Sequence, residues 1–327
     1  MRICIFGAGA IGGHLAVRLA QGGAEVSVIA RGAYLDGIRA DGLTITAPDG
    51  TFHARPAATD DPASLGPQDA VIVTVKGPAL GSVAAAIGPL LGPVTPVAFV
   101  MNGIPWWYFD RHGGPMDGKR LPALDPGDAV RRAVGVERTI GGVVYSACTV
   151  TKPGHIFVEH ARNRVVLGEL DGRISDRAEA LAAALRAGGI SSPVVPDIRK
   201  AVWEKLIANI GSGPLCVVAR QGIAGVLADP AIRAAAAANL REAAAIAGGL
   251  GIPIEMDPEA RLKVSETIAH KPSILQDLEA GKPMELEAIF LQPLALARMA
   301  GVATPSLDLS VALARKAAEA AGLYAPT

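Results

Sequence analysis

Near the amino terminus, the run Gly7-Ala8-Gly9-Ala10-Ile11-Gly12 places three glycines in the spacing G-x-G-x-x-G. Between a strand and a helix, the first glycine allows a tight turn, the second lets a pyrophosphate approach the backbone, and the third permits close helix–strand packing. The free N–H groups and the dipole of the helix N-terminus then favour a phosphate. The spacing therefore predicts that residues 7–12 bind the pyrophosphate of a dinucleotide. The alternative is a glycine-rich turn with a purely structural role.

The tip of the next predicted strand indicates which dinucleotide is bound. Sites selective for NAD usually carry an acidic residue about 20 residues after the glycines, where it binds the ribose 2′-hydroxyl. Here the strand ends in Ile29-Ala30-Arg31-Gly32, and no acidic residue stands at this tip. An arginine can bind a 2′-phosphate through paired, charge-assisted hydrogen bonds. Arg31 therefore predicts NADP(H) as the cofactor, and the alternative is a solvated loop arginine.

Apolar runs predict the elements that position these residues. Strand-like runs at 2–6, 25–30, 70–75 and 94–101 alternate with helical or loop segments, which is typical of a parallel sheet built from βαβ units. Lys76 and Asn102 follow the last two of these strands, at the sheet edge where such folds bind ligands.

Later segments complete the predicted first domain. Residues 109–135 are rich in glycine, proline and charge and are expected to form a surface loop or lid. We then expect an antiparallel strand pair joined at Pro153-Gly154, a helix at 175–187 and a last strand at 191–198.

From Arg199 onward the strand pattern ends and helical patterns follow, at 199–212, 229–249, 257–269, 283–300 and 307–321. We therefore predict an α/β chain with two domains. Residues 1–197 form an N-terminal Rossmann-like, doubly wound domain that binds NADP. Residues 198–327 form an all-α domain that carries the substrate-binding and catalytic residues.

Composition narrows the class of protein and its partners. The 327 residues carry 31 basic and 31 acidic side chains, so nothing indicates nucleic acid or an anionic membrane as a partner. The cysteines Cys4, Cys148 and Cys216 are widely spaced and form no CxxC pair, which predicts neither disulfides nor a metal site. This cysteine usage fits the cytoplasm. No targeting segment or membrane span is predicted, and the histidines are interpreted as structural.

Several motifs then follow one another in a recognisable order. They are VIARG with Arg31, VIVTVKG with Lys76, FVMNGI with Asn102, WEKLIANIGSGPL with Lys205 and Asn209, and KPSILQDLEAGKPMELEAI with Ser273 and Glu285. In this order the chain resembles the ketopantoate reductase family, the 2-dehydropantoate 2-reductases. The resemblance extends over nearly the whole chain and is weakest at 109–135.

The resemblance implies an NADPH-dependent oxidoreductase that acts on a CH–OH group and reduces a small 2-keto acid. The leading substrate is 2-dehydropantoate, on the route to pantothenate and coenzyme A. Lys205 matches the family's general acid, and Glu285, which matches a residue in contact with substrate, is expected to be catalytic with it. Lys76 and Asn102 match residues that contact cofactor, and Asn102, Asn209 and Ser273 match substrate-binding residues. The alanine- and leucine-rich second half is compatible with a homodimer.

Residue chemistry agrees with these roles. Hydride addition develops negative charge on the carbonyl oxygen, which a cation that donates a proton can stabilise. Partial desolvation lowers the pKa of a lysine toward neutrality, and Lys205 and Asn209 share a face of the predicted helix. Simpler interpretations stay open: a surface Lys205, a turn role for Asn102 and a helix N-cap at Ser273.

The chain departs from the family pattern after Asn209. Gly213-Pro214 stand where the family often has Asn-Pro, and the segment around Ile223 lacks a further substrate asparagine. Fewer amide donors cost affinity for the hydroxyl groups of pantoate. Two alternatives therefore stay open. One is a related NADP-dependent dehydrogenase acting on another keto acid, a secondary alcohol or an imino acid. The other is a non-catalytic NADP-binding sensor.

Overall fold

The computed structural model describes residues 1–267 and 271–325. The strands are β1 (Arg2–Phe6), β2 (Glu25–Ile29), β3 (Leu43–Ala47), β4 (Gly50–Ala54), β5 (Ala57–Thr59), β6 (Ala70–Val73), β7 (Val97–Val100), β8 (Thr139–Tyr145), β9 (Cys148–Lys152), β10 (His155–Val158) and β11 (Arg164–Glu169). The helices are α1 (Ala10–Gln21), α2 (Gly32–Asp41), α3 (Leu80–Ala86), α4 (Ala129–Val134), α5 (Asp176–Ala187), α6 (Ile198–Ala219), α7 (Ile223–Leu227), α8 (Pro230–Gly249), α9 (Pro258–Ser265), α10 (Ser273–Glu279), α11 (Gln292–Ala300) and α12 (Pro305–Ala320). A π-helical turn, Glu287–Leu291, precedes α11.

The chain divides into two compact units. The sheet unit consists of Met1–Met101 and Trp106–Ile198, and the helical unit consists of Asn102–Pro105 and Arg199–Thr327. Residues 102–105 therefore belong to the helical unit, although they follow β7 along the chain. The domain boundaries 1–197 and 198–327 stay a prediction, from which these units differ chiefly at residues 102–105.

The sheet unit is built on a mainly parallel sheet with the strand order β11-β8-β7-β6-β1-β2-β5. Only its edge strand β11 runs antiparallel to its neighbour, β8. In the centre, Ile3 of β1 pairs with Val26 of β2 on one side and with Ala70 of β6 on the other. Strands β6 and β7 are buried along their whole length, as expected for a parallel sheet covered on both faces. The predicted Rossmann-like α/β fold is confirmed.

A second sheet, with the order β4-β3-β10-β9, is absent from the sequence prediction. The expected antiparallel pair around Pro153-Gly154 is present as β9 and β10. However, β10 also pairs in parallel with β3, which forms a hairpin with β4. The turn Pro48-Asp49-Gly50 was the available local signal for that hairpin. Asp49 accepts hydrogen bonds from Arg18 of α1 at 2.7 and 2.8 Å, which attaches the hairpin to α1.

The predicted last strand at 191–198 is wrong. Among the described residues of this segment, Ser191 and Val194 form isolated bridges with β11 and no strand continues between them. Pro193 and Pro196 explain the difference, because proline has no N–H to donate to a sheet ladder.

Residues 109–135 are more firmly anchored than a surface loop. Phe109 is fully buried, and Asp110 and Asp125 are each only 4% exposed. Asp125 accepts the backbone N–H groups of Val130 and Arg131 at the start of α4. The Arg131 guanidinium in turn donates to Asp110 at 2.6 Å. This ion pair fixes the segment within the sheet unit.

The helical unit confirms the prediction of a helical second domain. Its described residues form α6 to α12 and the π-helical turn, with no strand among them. Asn239 of α8 is fully buried and donates to the Gly211 carbonyl at 3.1 Å and to the Ser310 hydroxyl at 3.3 Å, which joins α8 to α6 and α12. The helix predicted at 257–269 ends at Ser265, and residues 268 and 269 lie outside the described residues.

Within residues 1–267 and 271–325, no helix combines the length and the apolar character that crossing a membrane requires.

Candidate active site

In the sheet unit, the turn between β1 and α1 requires glycine at three positions, for a different physical reason at each. Gly7 has φ +106°, and a Cβ there would lie 2.6 Å from Val75. A Cβ on Gly12 would lie 2.0 Å from the Gly7 carbonyl oxygen, so α1 approaches β1 more closely than any side chain permits. A Cβ on Gly9 would meet no protein atom within 4 Å. Gly9 therefore borders open space that a ligand can use.

The start of α1 suits an anion. Gly9 is the N-cap residue, no side chain caps the helix, and its first turn contains no acidic residue. Residues Ala8, Ala10 and Ile11 complete this turn. The backbone N–H groups and the dipole at such a helix start favour phosphate. Together with the open space at Gly9, this geometry fits a dinucleotide pyrophosphate.

Thr74 stabilises the glycine turn and is a residue that the sequence analysis missed. Its hydroxyl donates to the Gly7 carbonyl at 2.7 Å and so links the turn to the end of β6. The available signal was a hydroxyl residue directly after the apolar run of β6. Lys76 follows two residues later as the exposed N-cap of a short 3₁₀ turn, Gly77–Ala79. Because β1 and β6 are parallel, the glycine turn and Lys76 lie at the same edge of the sheet.

Arg31 is exposed and is the N-cap residue of α2. Its guanidinium donates to the Ser82 hydroxyl of α3 at 3.3 Å. The first turn of α2 contains no acidic residue that would repel a phosphate. A guanidinium held by a neutral hydroxyl retains its positive charge for an anionic ligand.

In the helical unit, Lys205 of α6 meets Asn102. The Lys205 Nζ donates a hydrogen bond of 2.5 Å to the Asn102 Oδ1, although 103 residues separate the two in the chain. The surface-lysine interpretation of Lys205 is not supported by this geometry, because the side chain is partly buried and its ammonium group is oriented by an amide oxygen.

Burial lowers the pKa of Lys205 from 10.5 to about 8, and the negative charge of Glu285 opposes this shift. Glu285 is itself buried and lies just before the π-helical turn. At neutral pH the lysine is therefore mostly protonated, yet it releases its proton more readily than an exposed lysine. Lys205, Asn102 and Glu285 together form what we call the lysine cluster, which can donate a proton to a bound oxygen.

Glu287 has a different role from Glu285. Its carboxylate accepts hydrogen bonds from Gln292 at 2.8 Å and from the Tyr324 hydroxyl at 3.0 Å. It therefore belongs to the internal structure of the helical unit. Of the two glutamates, only Glu285 contributes its charge to the environment of Lys205.

Asn209 and Ser273 stand apart from the lysine cluster in the described hydrogen bonds. Asn209 lies one turn after Lys205 on α6 and is partly buried. Ser273 is the exposed first residue of α10, whose N-cap is Pro272. The interpretation of Ser273 as a helix N-cap is therefore wrong, and its substrate-binding role stays a prediction.

Among the described residues, no group of three or more histidine, cysteine, aspartate or glutamate side chains could hold a metal ion. The three cysteines are free thiols.

A glycine turn on a doubly wound sheet and a partly buried lysine in a helical unit fit the class of pyridine-nucleotide-dependent oxidoreductases. The family model described as ketopantoate reductase PanE/ApbA matches residues 3–172, and the model of its C-terminal part matches residues 197–318. The chain belongs to the ketopantoate reductase family. It is 40% identical to the 2-dehydropantoate 2-reductase of Mesorhizobium japonicum over 327 residues, which cover 99% of this chain and 100% of that protein.

Solved structures agree with this assignment. The 2-dehydropantoate 2-reductase of Geobacter metallireducens has a TM-score of 0.85 at 29% identity and covers 97% of this chain and 100% of its own. A Ralstonia solanacearum protein provisionally assigned as a ketopantoate reductase has a TM-score of 0.93 at 41% identity, with 99% of both chains covered. D-mandelate dehydrogenase with NADH, at 21% identity and a TM-score of 0.82 over 99% of this chain and 100% of its own, shares the fold.

Proposed function

We propose that this protein is a 2-dehydropantoate 2-reductase that uses NADPH to reduce a 2-keto acid to a 2-hydroxy acid. Its substrate is 2-dehydropantoate, its product is pantoate, and its reaction belongs to pantothenate and coenzyme A biosynthesis. The observation that carries this proposal is the lysine cluster, in a chain that belongs to the ketopantoate reductase family.

NADP(H), rather than NAD(H), is the cofactor that the sheet unit favours. Residues 7–12 would hold the pyrophosphate at the uncapped start of α1. Arg31 would bind the 2′-phosphate, because its guanidinium is exposed and no acidic residue stands in the first turn of α2. Lys76 and Asn102 are proposed to contact the nicotinamide end.

When bound, the reduced nicotinamide supplies the hydride that adds to the carbonyl carbon of the substrate. Lys205 acts on the other atom of that carbonyl. As negative charge develops on the oxygen, the ammonium group stabilises it and transfers a proton from Nζ to it, so that a hydroxyl group is formed. The Asn102 Oδ1 accepts a hydrogen bond from the same ammonium group and so fixes its direction.

Glu285 keeps the proton donor in its charged form. Its carboxylate opposes the effect of burial on Lys205, without which the pKa of the lysine would fall further. The lysine therefore starts the reaction as an acid at neutral pH. Asn209 and Ser273 are proposed to bind the substrate. A cytoplasmic location is supported by the free thiols Cys4, Cys148 and Cys216, and a homodimer stays a prediction.

A steady-state assay with a panel of 2-keto acids, ketones and imino acids tests the proposal. NADPH oxidation is followed by absorbance, and NADPH binding is measured separately by fluorescence titration. We expect 2-dehydropantoate to give the highest kcat/KM, with NADPH preferred over NADH. Turnover of another substrate without turnover of 2-dehydropantoate would identify a related dehydrogenase instead. Binding of NADPH with reduction of no substrate would identify a sensor. Either result would overturn the proposal.

A further inference from the structure

We propose that the π-helical turn Glu287–Leu291 is a positioning element for Asn102, and that Pro293 and Gly103 are the residues on which it depends. The inference deepens the proposed function and rests on it for its catalytic meaning. Neither residue belongs to the lysine cluster, so both act through Asn102.

The π-helical turn exposes one backbone carbonyl. The Gln292 N–H donates to the Glu287 carbonyl, five residues earlier, instead of to the Ala288 carbonyl as in an α-helix. The next bond of the same π register would run from residue 293 to Ala288. Residue 293 is proline, which has no N–H. The Ala288 carbonyl is therefore available to a donor from another segment.

That donor comes from the loop that carries Asn102. The Ile104 N–H donates to the Ala288 carbonyl at 2.8 Å. Ile104 is buried, with 1% of its surface exposed, so this backbone bond lies in an interior environment. Residues 102–105 and the π-helical turn belong to the same helical unit. The bond therefore anchors the loop two residues after Asn102.

Gly103 makes the close approach possible. Its backbone has φ +81°, and a Cβ there would lie 2.5 Å from both the carbonyl carbon and the carbonyl oxygen of Ala288. A Cβ essentially never approaches a backbone atom so closely. Any side chain at position 103 would push the loop away from the turn and take the neighbouring Asn102 with it.

The same turn is also bonded to the backbone of Glu285, whose side chain belongs to the lysine cluster. The Ile289 N–H donates to the Glu285 carbonyl at 3.4 Å. The loop and Glu285 are thus attached to opposite sides of one short segment, and the Asn102 Oδ1 reaches the Lys205 Nζ at 2.5 Å. A small shift of the π-helical turn would move both partners of the ammonium group, and misplacement of about 1 Å can cost orders of magnitude in rate.

The first test compares Gly103→Ala with Gly301→Ala. Both glycines have positive φ, +81° and +68°, but no atom lies within 4 Å of a Cβ at position 301. We expect Gly103→Ala to lower kcat by at least about tenfold, with the KM for NADPH within about twofold of the wild type. In Gly103→Ala the alkaline limb of the kcat–pH profile should move to lower pH, because Lys205 loses the Asn102 acceptor, which favours the charged form of the lysine. Gly301→Ala should retain the wild-type kcat and pH profile.

The second test, Pro293→Ala, restores the missing N–H and applies even if Gly103→Ala does not fold. Its control is Pro305→Ala, at the first position of α12, where no helix bond is gained. We expect amide hydrogen exchange at Ile104, measured by NMR, to be faster in Pro293→Ala and unchanged in Pro305→Ala. The alkaline limb of kcat should also shift in Pro293→Ala alone.

Wild-type exchange at Ile104 together with wild-type kcat and pH profile in Pro293→Ala would overturn the inference. The exchange measurement does not depend on turnover. If the wild-type protein does not reduce 2-dehydropantoate but the Ile104 amide responds as expected, the proposed function fails while the anchoring role stands.

Discussion

At the scale of single residues, Lys205 joins two properties that a general acid requires. It is charged at neutral pH, and burial brings its pKa down to about 8, against the opposing charge of Glu285. Only the protonated lysine can donate, so keto-acid reduction should slow as the pH rises through about 8. The measurement is kcat against pH with saturating NADPH. A kcat that stays level well above that pH would show that another group supplies the proton.

His14 of α1 is a second residue whose surroundings change its pKa. Its ring is fully buried and its Nδ1 lies 3.4 Å from the Cys148 Sγ. The pKa of His14 is lowered from 6.5 to about 4, chiefly by burial and also by the charge of Arg18, while Asp49 acts in the opposite direction. His14 is thus uncharged in the folded protein at pH values where the unfolded chain already binds a proton.

This difference makes the free energy of unfolding depend on pH. The contribution of His14 is complete above about pH 6.5 and is lost as the pH falls toward 4. Its full loss corresponds to on the order of 3 kcal/mol. Urea denaturation at a series of pH values should show a smaller loss in His14→Gln than in the wild type. His53→Gln, which alters an exposed histidine, should behave like the wild type. An equal dependence of the free energy of unfolding on pH in His14→Gln and His53→Gln would contradict this role of His14.

At the scale of elements, the glycine turn separates a folding role from a binding role. A Cβ at Gly12 would meet the Gly7 carbonyl at 2.0 Å, whereas a Cβ at Gly9 would meet nothing within 4 Å. We expect Gly12→Ala to lower the Tm. Gly9→Ala should keep the wild-type Tm but weaken NADPH binding by at least about tenfold, because its methyl group enters the space that the pyrophosphate needs. Thermal unfolding and fluorescence titration check both effects. Tight NADPH binding by Gly9→Ala would contradict the proposed cofactor site.

Some secondary-structure elements and pairings could be predicted from the sequence, and others could not. The turn after β1 was predictable because strand, glycines and helix are adjacent in the chain, and the buried strands β6 and β7 follow from continuous apolar runs. The pairing of β10 with β3 joins residues more than 100 positions apart, for example His155 with Thr44. No local pattern specifies such a pairing.

Part of the candidate site was likewise predictable from the sequence, and part was not. Residue types and motif order pointed to Lys205, Asn102 and Glu285, but not to the assignment of residues 102–105 to the helical unit. The π register at Glu287–Leu291 was also hidden, because the sequence at 283–300 reads as one continuous helix. Its signal is Pro293, whose meaning depends on a hydrogen bond from Ile104 that only the folded chain reveals.

At the scale of the whole molecule, cofactor binding should raise stability by mass action. A ligand at 100 times its Kd adds about 2.7 kcal/mol to the free energy of unfolding of the protein that binds it. NADPH should therefore raise the Tm more than NADH at equal concentration, because we propose that Arg31 binds the 2′-phosphate that only NADPH carries. In Arg31→Ala the two nucleotides should raise the Tm equally, and by less than NADPH raises it in the wild type. A larger shift with NADH in the wild type would contradict the preference for NADP(H).

The proton-donor role of Lys205 is tested by comparing Lys205→Ala with Lys200→Ala. Both lysines lie on α6, but Lys200 is exposed. We predict that Lys205→Ala lowers kcat for 2-dehydropantoate by at least about 100-fold, as expected for loss of a general acid, while its Kd for NADPH stays within about twofold of the wild type. Lys200→Ala should match the wild type in both. A Lys205→Ala enzyme that keeps its kcat, with NADPH bound as tightly as in the wild type, would contradict the role of this lysine as the proton donor.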